Sequence, residues 1–135
     1  MKTQLLSTLE NARQYTLSVA AAMPADSYAF KPDTAIWSFN DLMHHIGYGI
    51  HWWNENFILQ QPADWNPPAA TKTAAATQAY LSKSFDALQK SIEKANTDEK
   101  VIHGFYATLD HITHHRGQAT TYLRCKGITP PEYTY

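Results

Sequence analysis

The segment Phe105–Gly127, FYATLDHITHHRGQATTYLRCKG, carries the clearest fold signal in the chain. Its apolar residues return at helical spacing, which places them on one face of an α-helix. This stripe consists of Phe105, Leu109, Ile112, Ala119 and Leu123. Gly127 follows where helices commonly end in a left-handed residue, and Pro130 and Pro131 prevent continuation. The pattern predicts a helix from about Phe105 to Lys126.

The seven prolines divide the rest of the chain into further segments of helical length. Apolar periodicity predicts helices from Lys2 to about Ala22 and from about Thr71 to Ala95. Between them, Ser38 offers an N-cap hydroxyl and Asp41 an acidic side chain three positions on, so a helix is expected from there to about Gln60. No stretch alternates between apolar and polar residues, as a half-buried β-strand does. We therefore predict an all-α fold, a four-helix bundle forming a single domain over residues 1–135.

Composition excludes several classes of function. The chain has 11 Lys and Arg against 12 Asp and Glu, a net charge of −1, so it lacks the basic surface that phosphate backbones require and no nucleic-acid partner is expected. Its single cysteine, Cys125, provides neither an intramolecular disulfide nor a thiolate cluster. No segment resembles a signal peptide or a membrane span of about 20 apolar residues. We expect a soluble, cytoplasmic protein.

Histidines are the unusual feature of this composition, because six of the seven fall in two clusters. These are His44, His45 and His51, then His111, His114 and His115. On the second predicted helix, Leu42 and Gly49 belong to the inward apolar stripe, and His45 lies at its edge. His44 and His51 fall on the far side. We therefore expect His45 to face into the bundle, and His44 and His51 to face water or a partner.

The second cluster has the spacing of a metal site. His111 and His115 stand one turn apart on one flank of the last helix, while His114 turns outward. With His45 they form a set of three imidazoles, ligands that suit Zn²⁺, Ni²⁺, Cu²⁺ or Fe²⁺ and leave positions open for water or substrate. The alternative is that the pair at this spacing is a surface coincidence or a structural feature of the core edge. No carboxylate occupies a matching position, so no general base is evident.

Other residues near this flank carry weaker signals. Arg116 projects toward the apolar stripe, where a guanidinium needs a carboxylate partner such as Asp41. A structural ion pair is expected, and a substrate-binding role is the alternative. Gln118 and Tyr122 continue the flank of the histidine pair, where they would line a pocket. Gly49 marks close helix approach or room above a metal. The tryptophans are expected in the core or on a dimer surface: Trp37, Trp52, Trp53 and Trp65.

These segments resemble a known family. His111–Gln118 and the ending Gly127–Tyr133 resemble the C-terminal helix signature of the DinB-like, damage-inducible protein family. Met23–Pro32 and Leu42–Ile46 are similar to that family's linker and second helix. The resemblance extends over most of the chain, and it implies a four-helix bundle that is often a homodimer.

The resemblance also implies a divalent metal held by one histidine of the second helix and two of the last, which here are His45, His111 and His115. Relatives with an assigned chemistry are transferases and isomerases that use low-molecular-weight thiols such as bacillithiol or mycothiol, and metal-dependent hydrolases. The expectation is an enzyme that uses Zn²⁺ or Ni²⁺ to act on a small-molecule substrate by thiol transfer or hydrolysis. The alternatives are a non-catalytic, stress-related metal-binding homodimer and a structural bundle whose histidines bind nothing.

Overall fold

Four long helices make up most of the chain, and the computed structural model describes all 135 residues. A 3₁₀ turn at Ala25–Ser27 lies in the first connection, and a π-helical turn at Asn54–Ile58 extends the second helix. The four helices are α1 (Lys2–Ala22), α2 (Phe39–Trp53), α3 (Ala74–Lys94) and α4 (Glu99–Cys125). No strand is present, so the predicted all-α four-helix bundle is confirmed.

The helix ends follow the capping residues. At α2, Ser38 Oγ accepts from the Asp41 amide at 3.1 Å, and the Ser38 amide donates to Asp41 Oδ2 at 3.3 Å, which is the predicted capping box. Gly127 has a φ of +75°, the left-handed conformation expected beyond the last helix. The start of α4 lies earlier than predicted, because Asp98 caps it by accepting from the Val101 amide at 2.8 Å.

The core lies between the helices, with α2 packed against both α3 and α4, and α1 closing the other side against the same two helices. From Leu42 to Ile50 every residue of α2 is buried except His45. Fully buried aromatic residues and leucines fill the interior, each stabilising the fold by about 1.5–3 kcal/mol; among them are Phe39, Phe85, Phe105, Leu5, Leu9, Leu81 and Leu88. None of the helices combines the length with the apolar composition that a membrane crossing requires.

The prediction that His44 faces water or a partner is wrong. His44 is only 5% exposed, and its ring stacks on Tyr80 of α3 with centroids 4.6 Å apart and planes 12° apart. The reason is that α2 has a packing partner on two faces, so a residue outside its main apolar stripe is also buried. His51 is exposed as expected and lies 3.8 Å from the Glu55 carboxylate.

The predicted ion pair between Arg116 and Asp41 is also wrong. Asp41 is exposed and takes part in the α2 cap, whereas Arg116 is 5% exposed and faces α1. There, Arg116 Nη1 donates to Thr16 Oγ1 at 3.2 Å, and the guanidinium carbon lies 4.7 Å from the centre of the Tyr15 ring. The rotation of α4 turns Arg116 toward α1 and away from Asp41, a difference that apolar periodicity alone does not distinguish.

Candidate metal centre

Three histidines converge where α2 and α4 pack together. His45 Nε2 lies 3.0 Å from His115 Nε2 and 2.9 Å from His111 Nε2. One nitrogen from each of the three rings falls within 4.8 Å of the others. The structure therefore brings together the three residues that the sequence singled out, from two helices separated by a long stretch of chain.

Gly49 of α2 makes room for this convergence. A Cβ at residue 49 would lie 2.6 Å from His111 Nδ1 and closer still to His111 Cε1, distances that real Cβ atoms essentially never show. The His111 ring thus lies directly on the α2 backbone, in space that any other residue would fill. Of the two roles expected for Gly49, close approach is the one that the structure shows.

Hydrogen bonding and packing orient the rings. His115 Nδ1 lies 2.8 Å from Gln118 Oε1, an acceptor, so Nδ1 carries the proton and Nε2 keeps its lone pair toward the cluster. Metal-binding histidines are held by this kind of outer hydrogen bond. His111 Nδ1 is buried without a hydrogen-bond partner, and its ring packs instead against Trp53, with centroids 4.9 Å apart.

The electrostatic setting keeps all three imidazoles neutral. Burial is the main cause, and with the neighbouring histidines it lowers the pKa of His45 to about 4 and that of His111 to about 3. Burial also lowers the pKa of His115, while the hydrogen bond to Gln118 opposes the shift. Neutral imidazole is the form that binds metal, so the site needs no deprotonation near pH 7.

This donor set fits a divalent metal ion. Two imidazole nitrogens bound to one tetrahedral Zn²⁺ lie roughly 3.4 Å apart, given bonds of about 2.1 Å. Two of the three separations, 2.9 and 3.0 Å, are shorter than this by a few tenths of an ångström, and all three nitrogens lie within 4.8 Å of one another, so rotations of the rings would bring them to equal distances around an ion. The cluster contains neither a thiolate nor a carboxylate, and an all-imidazole set suits Zn²⁺ and Ni²⁺.

Tryptophan rings surround the histidines. The Trp37 ring lies 4.6 Å from that of His45, and the Trp65 ring lies 5.6 Å from it on another side. Trp37 and Trp65 remain 49% and 45% exposed, so they form a rim around the cluster rather than part of the core. Sequence reasoning missed this role. The position of Trp37 directly before the α2 cap was an available signal, whereas nothing in the sequence places Trp65 of the α2–α3 loop over His45.

A pocket of about 450 Å³ adjoins His115. Gln118 and Tyr122 line it, as the sequence indicated, and the Tyr122 hydroxyl donates to the Trp37 carbonyl at 2.8 Å, which ties the rim to α4. The lining holds no carboxylate, lysine or arginine; it consists of Ala35, Ile36, Trp37, Leu42, His115, Gln118, Thr121 and Tyr122. The pocket therefore suits a small, largely apolar molecule.

The remaining histidines do not contribute ring nitrogens to this cluster. His114 is exposed, although its ring lies 4.8 Å from that of His115. His103 is also exposed, and its ring lies 5.7 Å from Phe57. The exposure of His114 agrees with the outward orientation predicted for it.

The fold and the site together define an all-α bundle protein in which α2 and α4 carry a three-histidine cluster. The family model for the DinB family matches residues 1–103, so the chain belongs to this family. The matched range includes His45 and ends before His111 and His115.

Solved structures give the same fold. A DinB-like protein from Bacillus cereus superposes with a TM-score of 0.82 at 17% identity, covering 96% of this chain and 95% of that one. A DinB-like protein from Bacillus subtilis gives a TM-score of 0.76 at 18% identity, with 96% of each chain covered. At such identities the likeness concerns the fold. No curated protein sequence matches this chain significantly.

Proposed function

We propose that this protein is a divalent-metal-dependent enzyme in which His45, His111 and His115 hold Zn²⁺ or Ni²⁺. The observation that carries the proposal is the convergence of three neutral imidazole nitrogens from α2 and α4 next to an apolar pocket. Three protein ligands leave coordination positions open, which is typical of catalytic rather than structural zinc sites.

A bound divalent ion supplies Lewis acidity that lowers the pKa of a coordinated water or thiol toward neutrality. The chain's own residues orient the histidine ligands and shield the cluster from water. Gln118 holds His115 in the tautomer that directs Nε2 to the cluster, and Trp37 and Trp65 limit the access of water. The pocket beside His115 binds the small-molecule substrate, with the Thr121 hydroxyl and the Gln118 amide as its polar groups.

The reaction proposed is transfer of a low-molecular-weight thiol to a small electrophile, or hydrolysis of a small substrate. Both are supported by membership of the DinB family, whose relatives with an assigned chemistry include thiol-dependent transferases and metal-dependent hydrolases. The absence of lysine, arginine and carboxylate side chains from the pocket lining supports an apolar electrophile over a highly charged one.

A second candidate is a non-catalytic, stress-related metal-binding homodimer. The observation that favours it is the lack of any carboxylate in the histidine cluster, because hydrolysis at a metal is commonly assisted by a carboxylate general base. In this case the metal would stabilise the fold by linking α2 to α4.

The metal site is tested by elemental analysis of the purified protein. Wild type and the His114→Ala variant should retain the ion, since His114 is exposed and lies outside the cluster. The variants His45→Ala, His111→Ala and His115→Ala should each lose most of it, because two imidazoles bind a divalent ion far more weakly than three. Equal metal content in wild type and His45→Ala would remove His45 from the ligand set.

Catalysis is tested on the metal-loaded protein with a panel of thiols and an electrophile such as chloro-dinitrobenzene or an epoxide, and with small esters and amides for hydrolysis. Turnover should disappear on chelation and in His115→Ala, and persist in His114→Ala. Metal binding without turnover on any substrate, in a protein that light scattering shows to be a dimer, would favour the second candidate.

A further inference from the structure

Arg116 presents a buried positive charge without a carboxylate partner. It is 5% exposed, and it takes part in none of the ion pairs of the chain, which join Arg13 to Glu10 and Asp86, and His51 to Glu55. Its Nη1 donates to a neutral acceptor, Thr16 Oγ1, at 3.2 Å. Removing a charge from water costs several kcal/mol unless a counter-charge is supplied. The guanidinium therefore lacks the partner that buried arginines usually have.

A small cavity opens onto this guanidinium. Its volume is about 120 Å³, which suits a group of a few heavy atoms, and its walls carry hydroxyl groups and tyrosine rings. Its lining consists of Tyr15, Thr113, Arg116, Gly117, Thr120 and Tyr133. The guanidinium carbon lies 4.7 Å from the centre of the Tyr15 ring and 5.6 Å from that of Tyr133, so the two rings hold it in place.

Gly117 leaves the mouth of this cavity open. It lies in the interior of α4, where glycine costs roughly 1 kcal/mol relative to alanine. Unlike Gly49, Gly117 has no neighbouring heavy atom within 4 Å of the position that a Cβ would occupy, so no neighbour in this chain requires a glycine there. The open space that it leaves is part of the same cavity.

The cavity continues into a wider groove that carries a second arginine. This groove, of about 460 Å³, shares Tyr15, Thr120 and Tyr133 with the cavity and extends to Arg124 and the C-terminal segment. Arg124 is exposed and, like Arg116, belongs to none of the ion pairs. Glu132 is the acidic residue of the groove and is exposed at its rim. The charges of cavity and groove are thus two arginines and one glutamate.

We propose that this cavity and groove bind a small organic anion, with a carboxylate or phosphate group against Arg116 and the rest of the molecule between Tyr15, Tyr133 and Arg124. Planar guanidinium groups pair with such oxyanions in two-point hydrogen bonds. The tyrosine rings offer an apolar wall to the remainder of the ligand. This site lies on the α1 side of α4, whereas the histidine cluster lies toward α2, and the inference does not depend on the proposed reaction.

The test is a titration of the protein with sodium phosphate and, separately, with sodium acetate at constant ionic strength, with sodium chloride as the reference. Heteronuclear NMR of the Arg116 and Arg124 side-chain Nε–H groups reports binding at the site itself. We expect saturable shifts of the Arg116 signal with at least one of the two oxyanions, and none with chloride. Tighter binding of phosphate would identify a phosphorylated ligand, and tighter binding of acetate a carboxylic acid.

Two variants and a charge-matched control sharpen the test. Gly117→Leu fills the cavity while keeping both arginines, and Arg124→Gln removes one charge from the groove. Gly117→Leu should weaken oxyanion binding by at least about tenfold, because its side chain occupies the cavity. Arg124→Gln should weaken it by less than about tenfold, because it removes only a neighbouring positive charge. Lys90→Gln removes the same charge from an exposed residue outside the groove and should leave the affinity unchanged. Circular dichroism confirms that each variant is folded.

The inference is overturned if neither oxyanion gives a saturable shift, or if chloride shifts the Arg116 signal as much as they do. Binding by Gly117→Leu with wild-type affinity would also overturn it, because the ligand then lies elsewhere. In these cases Arg116 serves only to anchor the C-terminal segment through Tyr15 and Tyr133.

Discussion

His111 lies directly on the backbone of α2 at Gly49, so the geometry of the cluster depends on one missing Cβ as well as on three imidazoles. The same residue type has a different meaning at Gly117, where an added Cβ would meet nothing within 4 Å. Two helix-interior glycines with opposite surroundings allow the site to be probed by a single kind of substitution.

Gly49→Ala and Gly117→Ala form a matched pair of single-residue variants. Both gain about 0.5–1 kcal/mol of helix propensity. Gly117→Ala should therefore raise the free energy of unfolding, whereas Gly49→Ala should lower it and reduce the metal content, because the His111 ring has to move. Urea unfolding and elemental analysis measure the two effects. If Gly49→Ala is as stable as Gly117→Ala and retains its metal, the close packing of His111 on α2 is not required for the site.

At the scale of the helices, the capping box of Ser38 and Asp41 determines where α2 begins. His45 lies two turns further along, so the first turns of α2 set the position of its imidazole. The helix α3 has a comparable cap, in which Thr73 Oγ1 accepts from the Ala76 amide at 3.1 Å, but it carries no residue of the cluster.

Ser38→Ala and Thr73→Ala should each destabilise the fold by about 1 kcal/mol, the usual loss for an N-cap hydroxyl. Only Ser38→Ala should also weaken metal binding, because fraying of the first turn of α2 loosens His45. Thermal unfolding gives the stability, and competition with a chromogenic chelator gives the metal affinity. Equal metal affinities in the two variants would show that the cap of α2 does not position His45.

At the scale of the whole molecule, folding partly buries three imidazoles in a cluster that contains no carboxylate to stabilise their protonated forms. In the unfolded chain each titrates near its ordinary pKa of about 6.5. In the folded chain the pKa of His45 is about 4 and that of His111 about 3, mainly because of burial. Above about pH 6.5 neither state binds protons at these residues, whereas below it the unfolded chain binds them first.

The metal-free protein should therefore lose stability as the pH falls from about 6.5 toward the folded pKa values of these histidines. Urea unfolding at about pH 7.5 and about pH 5 measures the loss. His111→Gln should show a smaller loss than wild type, because one group that titrates differently in the two states is gone. His114→Gln, which alters an exposed residue outside the cluster, serves as the control. Identical losses in the two variants would contradict burial of His111 as a cause of the pH dependence.

Much of this protein follows from local sequence. Capping residues, prolines and apolar periodicity predict the four helices, and the inward edge of two of them indicates His45, His111 and His115. The prediction of a helix end is less accurate where a cap is overlooked, as with Asp98 before α4. The helices and their ends can be predicted from the sequence because the interactions that determine them join residues only one or two helical turns apart.

The sequence by itself determined the helical class, the family resemblance and the three histidines proposed as ligands. Only the tertiary structure decided that His44 stacks on Tyr80, that Arg116 turns to α1 instead of Asp41, and that Trp37 and Trp65 border the cluster. The physical reason is that these contacts join residues far apart in the chain. Periodicity identifies the main apolar face of a helix, but which neighbour covers each of its faces depends on how all four helices pack.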